Sequence, residues 1–400
     1  MREMKDSGVE WIGQIPKDWK IKKPKYIGSI RSGDSVTNKK LNDDIGYEVL
    51  GGNGTIGFYD KYNVDGTHII IGRVGALCGN SRITRGKKFI SDNALIYTCF
   101  EGQAENYINY IFDAFNLNKL NTSNAQPLIT GSKVLNIFIP YPNIIEQKII
   151  ADFLDSKCSE IDATAEDIQK EISLLEDYKK SVITEAVTKG LNPDAEMKDS
   201  GIEWIGQIPK DWKTSKLKYL TTERSESALM TSEDIYIGLE NVASNKNEVV
   251  EIQTENLQSI QNICKKDDVM FSKLRPYLNK VVICPCDCFC TSEFIIYKCF
   301  EGDNRYLRYF LTNAAFIDVV TASTYGTKMP RANPQFIKNL EICYCDLEEQ
   351  QQIADFLDTK CSEIDAIIAD KKRQRGILAE YKKSLIYEYV TGKKEVPINE

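Results

Sequence analysis

Apolar residues recur three and four positions apart along 151–186: Ala151, Leu154, Cys158, Ile161, Ala165, Ile168, Ile172, Leu175, then Lys179, Val182 and Ala186. A sustained stripe of this period predicts a long helix with a coiled-coil seam. Asn143 followed by Glu146 gives cap spacing at its start, and Gly190 before Asn192-Pro193 gives its stop. At ~1.5 Å per residue such a helix runs roughly 65 Å, too long for one compact core. A second stripe starts behind Asp346 and Glu349 with Ala354, Leu357, Cys361, Ile364 and Ile368. It breaks at Lys371 and Arg375, inside a KKRQR run, and resumes at Leu378 and Leu385. Antiparallel pairing of the two helices would set that run near Glu166, Asp167 and Glu171; a solvated helix face explains it equally well. Exposed ion pairs contribute only ~0–1 kcal/mol each.

The helices belong to a larger duplication. Met4–Ile27 and Met197–Leu220 share 19 of 24 residues, and Ala151–Ala163 and Ala354–Ala366 share 12 of 13. Between these anchors the halves diverge. The inserts, about 28–142 and 221–345, carry short β-rich runs such as His68–Ile71 and Val281–Ile283 between Gly, Asn and Pro turns. CFEG occurs at 99–102 and 299–302, each time before a Tyr-rich helical stretch. The expected architecture is mixed α/β: two similar globular domains joined by two long antiparallel helices, with a pseudo-twofold internal repeat. The expected boundaries are 1–145 for the first globular part, 146–190 for its helix, 191–345 for a linker and the second globular part, and 346–400 for the second helix and tail. Two near-identical frames around unlike inserts suit a reader of a two-part ligand better than an enzyme with one active site.

Composition changes this picture little. No apolar run approaches the ~18–20 residues that span a bilayer, and the charged N-terminus has no signal-peptide pattern, so a cytoplasmic protein is expected. Net charge is −7. It is unevenly spread, with 18 basic against 14 acidic residues over 1–145 and 6 against 13 over 146–196. A basic face on the globular parts is therefore compatible with the acidic total.

Catalytic and metal motifs fail on context. Gly52–Gly57 matches GxGxxG, but FYDKYNVDG follows where a dinucleotide site needs a helix, so these glycines read as hairpin turns. Pro193–Lys198 holds the parts of a PD…ExK pattern nearly adjacent in a linker, where they cannot converge on a metal. Cys284, Cys286, Cys288 and Cys290 alternate, which reads as one face of small buried hydrophobes, and no metal site is expected. One histidine, His68, leaves little room for Ser-His-Asp or Cys-His chemistry. No GxxxxGK[ST] occurs, and Asn333-Pro334-Gln335-Phe336 lacks the second proline of an amino-methyltransferase box.

Polar and basic turns on the inserts remain. Candidate DNA-binding residues are Arg31, Asn53, Arg73, Arg82, Lys87 and Lys88 in the first, and Lys273, Arg275, Asn279, Lys280, Tyr325, Lys328 and Arg331 in the second. Arg, Lys and Asn are the side chains that hold phosphates and read purine edges.

EQ…IADFLD opening each helix, YKKSVITEAVTKG and YKKSLIYEYVTGK closing them, and WIGQIPKDW before each insert together resemble the specificity subunit of Type I restriction–modification enzymes. The resemblance covers nearly the whole chain. It implies a non-catalytic DNA-binding subunit whose two target recognition domains, with GGNGTIGFYDKYNVDG in the first and FSKLRPYLNKV in the second, each read half of a split, asymmetric site. It also implies that the helices set the spacing and dock two methyltransferase subunits. Those methylate adenine at N6 with S-adenosylmethionine, and restriction subunits add ATP- and Mg2+-dependent cleavage; the chain itself needs no cofactor. The competing class is a two-headed protein-interaction scaffold.

Overall fold

The computed structural model describes residues 2–37, 41–42, 44–75, 77–121, 127–231, 234–250 and 259–397. The two stripes fold as the helices Ile144–Lys189 and Leu347–Val390. Their starts follow the cap spacing: the Glu146 N–H donates to Asn143 Oδ1 at 3.0 Å and the Glu349 N–H to Asp346 Oδ1 at 2.9 Å. The two glutamate carboxylates accept bonds from the indole N–H groups of Trp19, at 3.0 Å, and Trp212, at 2.9 Å, rather than turning back to the cap. Each helix exits through a glycine in the left-handed region, Gly190 at φ +76° and Gly392 at φ +71°. A Cβ at Gly392 would meet Pro16 at 2.5 Å, so the close approach needs glycine there.

The chain divides into two compact units, residues 1–168 with 373–400, and residues 169–372. The division falls inside the helices, because each globular part packs on the first half of one and the last half of the other. In the first unit Lys382 pairs with Asp162 at 2.7 Å, and Phe153 lies on Tyr389 with ring centroids 4.6 Å apart. In the second, Lys179 pairs with Asp365 at 2.6 Å, Lys371 with Glu171 at 2.5 Å and Lys372 with Glu176 at 3.3 Å. From Phe153–Tyr389 to Asp162–Lys382, and from Glu171–Lys371 to Lys179–Asp365, partner numbers fall along one helix as they rise along the other, so the helix segments in each unit run antiparallel. The polar break in the second stripe therefore has a physical cause: Lys371 lies half-buried against Glu171.

Along the seam Leu154, Cys158, Ile168, Ile172, Leu357, Cys361, Ile364, Ile368 and Leu385 are buried, while Ile161, Leu175 and Leu378 are half-buried. Leu154 and Leu357 occupy matching places and both are fully excluded from solvent. Leu154→Ala and Leu357→Ala should each cost about 2–5 kcal/mol, because helices pinned at both ends cannot collapse into the gap. Guanidinium denaturation measures this; a loss below about 1 kcal/mol would show that the seam is loosely packed.

The inserts share one design at an offset of 200 residues. Gly28–Ser32, Ala94–Cys99, His68–Gly72 and Ser81–Thr84 form a four-stranded antiparallel sheet in that order. Thr221–Glu223, Phe294–Phe300, Val269–Ser272 and Val281–Ile283 repeat it. Register is kept: Ile96 faces Ile70 and Ile296 faces Met270, while Ser81 faces Ile71 and Val281 faces Phe271. The Tyr-rich stretches after CFEG fold as Glu105–Phe115 and Asn304–Thr312. Each buries a tyrosine whose hydroxyl donates to the end of a long helix, Tyr107 to Val390 O at 3.1 Å and Tyr306 to Val187 O at 3.3 Å. Insert, frame and helix thus close on one another in the same way twice.

The cysteine alternation departs from its sequence reading. A bend at residues 286–287 interrupts the extended chain, yet the burial still alternates: Cys284, Cys288 and Cys290 are buried and Cys286 is half-buried against the same small core, less enclosed than the reading expects. Among the described residues no helix is long and apolar enough to cross a membrane.

Candidate nucleic-acid interface

Gly52 and Asn53 form the two-residue turn between the strands Tyr47–Gly51 and Gly54–Tyr59, as the hairpin reading expects. The turn lies against the end of the His68–Gly72 strand, where a Cβ on Gly72 would come within 2.7 Å of Gly52 O. Arg82 reaches across from its own strand and donates to Gly51 O and, at 3.3 Å, to Gly52 O. Burial lowers the guanidinium's pKa, partly offset by Glu48. Arg82 braces the turn that carries Asn53, and Asn53 itself is exposed.

Arg73 follows directly after the same strand. Its backbone N–H donates to Asn93 O at 3.0 Å and its guanidinium to Ser32 Oγ at 3.3 Å. Arg31, exposed, donates to Asn63 O at 2.6 Å. Arg31, Asn53, Arg73 and Arg82 are thus linked through one end of this sheet. The remaining two candidates of this insert gather elsewhere: Lys88 is ion-paired with Glu48, which lowers the Glu48 pKa, and Lys87 is exposed with its ammonium 4.7 Å from the Tyr62 ring centre.

In the second unit the loop 325–331 folds back on the strand end, with Tyr325 and Arg331 bridged through their backbones. Arg275, at φ +50°, donates its N–H to Pro330 O at 2.8 Å and a guanidinium N–H to Lys328 O at 3.4 Å. Arg331 makes a two-pronged pair with Glu293 at 2.7 and 3.1 Å, which lowers the Glu293 pKa. Lys273 stands at the place of Arg73: its N–H donates to Glu293 O at 2.9 Å, as that of Arg73 does to Asn93 O. Lys273, Arg275, Tyr325, Lys328 and Arg331 therefore cluster. Tyr325, 63% exposed, and Lys328 present their side chains outward.

Asn279 and Lys280 serve the fold instead. Asn279 donates to Thr312 O at 2.8 Å, and Lys280 to Leu239 O at 2.6 Å, where burial lowers its pKa. The nearest approach to a methyltransferase box also has a structural use, since Asn333 caps the short helix Pro334–Asn339. Exposed Met329 and Leu77, next to these clusters, were not singled out from sequence; a bulky apolar residue inside a polar turn was the available signal. The Trp19–Glu146 and Trp212–Glu349 ties were also missed, although all four residues lie in the repeated motifs.

A family model for the Type I restriction modification DNA specificity domain matches residues 16–174 and again 209–374. The Type I restriction enzyme MjaVIII specificity subunit of Methanocaldococcus jannaschii is 28% identical over 278 residues, covering 65% of this chain and 63% of that protein. The Type I restriction enzyme EcoprrI specificity subunit of Escherichia coli is 33% identical over 124 residues, 31% of either chain. The matched stretches thus span less than two thirds of both relatives. Among solved structures, a chain from work on the assembly and conformational transition of the type I R-M system superposes with a TM-score of 0.69 at 12% identity, covering 95% of this chain and 99% of that one, which shows a common fold. Two copies of one domain, each on its own half of the repeated frame, place this chain in the Type I restriction modification DNA specificity family.

Proposed function

We propose that this chain is the non-catalytic specificity subunit of a cytoplasmic Type I restriction–modification complex. Each recognition domain reads one half of a split, asymmetric site in double-stranded DNA. The long helices set the spacer and dock two methyltransferase subunits, which supply adenine-N6 methylation with S-adenosylmethionine. Restriction subunits add ATP- and Mg2+-dependent cleavage. The observation that carries this reading is the pairing of a repeated frame with divergent inserts: the same sheet carries Arg73 and Arg82, the latter bracing the Asn53 turn, in one unit, and Lys273, Arg275 and the 325–331 loop in the other. Unlike side chains at matching places on like scaffolds are what two independent readers require.

The test is the salt dependence of DNA binding by the full chain assembled with its methyltransferase partners. Log affinity should fall linearly with log salt, and Lys87→Ala and Lys328→Ala should each flatten the slope by about 0.9 if each lysine neutralises one phosphate. A slope near zero would favour the protein-interaction scaffold. Locating methylated adenines in the host genome would then give the site.

A further inference from the structure

A cluster of thiols lies inside the second unit, apart from the basic turns. The sulfurs of Cys264, Cys284 and Cys288 all lie within 4.8 Å of one another, and those of Cys284 and Cys288 are 3.4 Å apart. Cys264 and Cys288 face each other across the antiparallel strands Ile260–Cys264 and Cys288–Cys290. Side chains two apart on a strand share a face, so Cys290 brings a fourth thiol to that side of the sheet. All four are buried. Four thiolates around a tetrahedral ion with bonds of about 2.3 Å stand about 3.8 Å from each other, close to the spacing of Cys264, Cys284 and Cys288, and Cys290 would draw in from outside that trio. A disulfide would need about 2.05 Å.

The first unit provides an internal control. At the offset of 200 the four positions hold Val64, Thr84, Lys88 and Ile90, and Val64 bridges Lys88 as Cys264 pairs with Cys288. The small core there is Leu50, Val64, Ile70, Ile90, Ala94 and Ile96, with no cysteine. The fold therefore does not demand thiols at these places. They come from two separate stretches of chain, 264 and 284–290, and converge only once the sheet forms. Ile237, Val242, Met270, Val282, Phe294 and Ile296 surround them, an apolar shell that suits a closed structural centre.

We propose that Cys264, Cys284, Cys288 and Cys290 hold one thiophilic divalent ion of the zinc class, as a structural clip within the second recognition domain. Soft thiolates in a tetrahedral set select such ions over magnesium or calcium. Binding displaces the thiol protons, so the ion is released as pH falls. Cys286, at the bend, stays outside the set; without metal its carbonyl oxygen accepts from the Cys284 thiol at 3.0 Å, a bond given up when that thiol loses its proton to the ion.

The full chain, purified under reducing conditions from zinc-supplemented cells, should carry about one ion per chain by elemental analysis. Cobalt exchanged into it should give the visible absorption of a tetrahedral tetrathiolate site. Cys286→Ser should keep both signals. Cys264→Val with Cys290→Ile, which copies the first unit, should fold and lose both; should it be insoluble, Cys288→Ser is read by cobalt absorption instead. A parent chain with no more metal than the double variant, a disulfide among these cysteines in freshly isolated protein, or a Cys286→Ser chain emptied as fully as the others would overturn the assignment.

Discussion

Joined end to end through a short Gly/Ser linker and reopened within residues 190–196, the chain should fold with unchanged helix content and lose no more than about 2 kcal/mol of stability. In the first unit Arg2 and Trp19 line one cavity together with Lys394, Glu395 and Val396, so the two ends already meet. Gly392 approaches Pro16 and Trp19 as Gly190 approaches Pro209 and Trp212, which makes the C-terminal tail the counterpart of the linker into Met197. The new linker would restore a connection the repeat already makes once, and the new ends would fall in an exposed turn. Circular dichroism and denaturant midpoints report the fold and, on the proposed function, co-purification with a methyltransferase partner reports assembly. Insoluble permuted protein, or a loss above about 5 kcal/mol, would mean that the 190–196 connection itself holds the second unit together.

Arg82→Ala should destabilise the first unit by about 2–4 kcal/mol, because two charge-assisted, part-buried bonds to backbone carbonyls are lost and water does not replace them fully. Arg82→Lys should rescue little, since an ammonium cannot brace Gly51 O and Gly52 O from one planar fork. On the proposed function, the assembled complex should lose discrimination at one half-site by tenfold or more and keep the other. Hydrogen exchange of the 47–59 hairpin separates the two effects. Unchanged protection there with normal DNA reading would remove Arg82 from both roles.

The helices and the duplication were legible in the sequence because their signals are local: a 3–4 period, cap spacings, and repeated words such as WIGQIPKDW. The hairpin at Gly52-Asn53 was legible for the same reason. The partners of the basic candidates were not. Arg331, Lys88 and Lys280 read as free basic charges, yet their partners Glu293, Glu48 and Leu239 O lie 38 to 41 residues away, beyond any local pattern. The half-polar seam at Lys371 makes sense only once Glu171 is placed opposite. The cysteines show the same limit from the other side. Alternation suggested one face, which Cys284, Cys288 and Cys290 share with half-buried Cys286, but the pairing of strands added Cys264, twenty residues upstream, which no spacing rule would have joined to the rest.

The division of the helices between the units also bears on the order of events at the ribosome. The second unit, residues 169–372, is continuous in the chain and has all its parts once Lys372 has emerged. The first, although made earlier, lacks the strip 373–400, and its buried Tyr107 waits for Val390, 283 residues later. Domains ordinarily mature from the N-terminus during synthesis. Here the later-made unit has its full set of residues first, and the Tyr107 hydroxyl of the earlier one gains its Val390 partner only after the segment from 373 onward has been added.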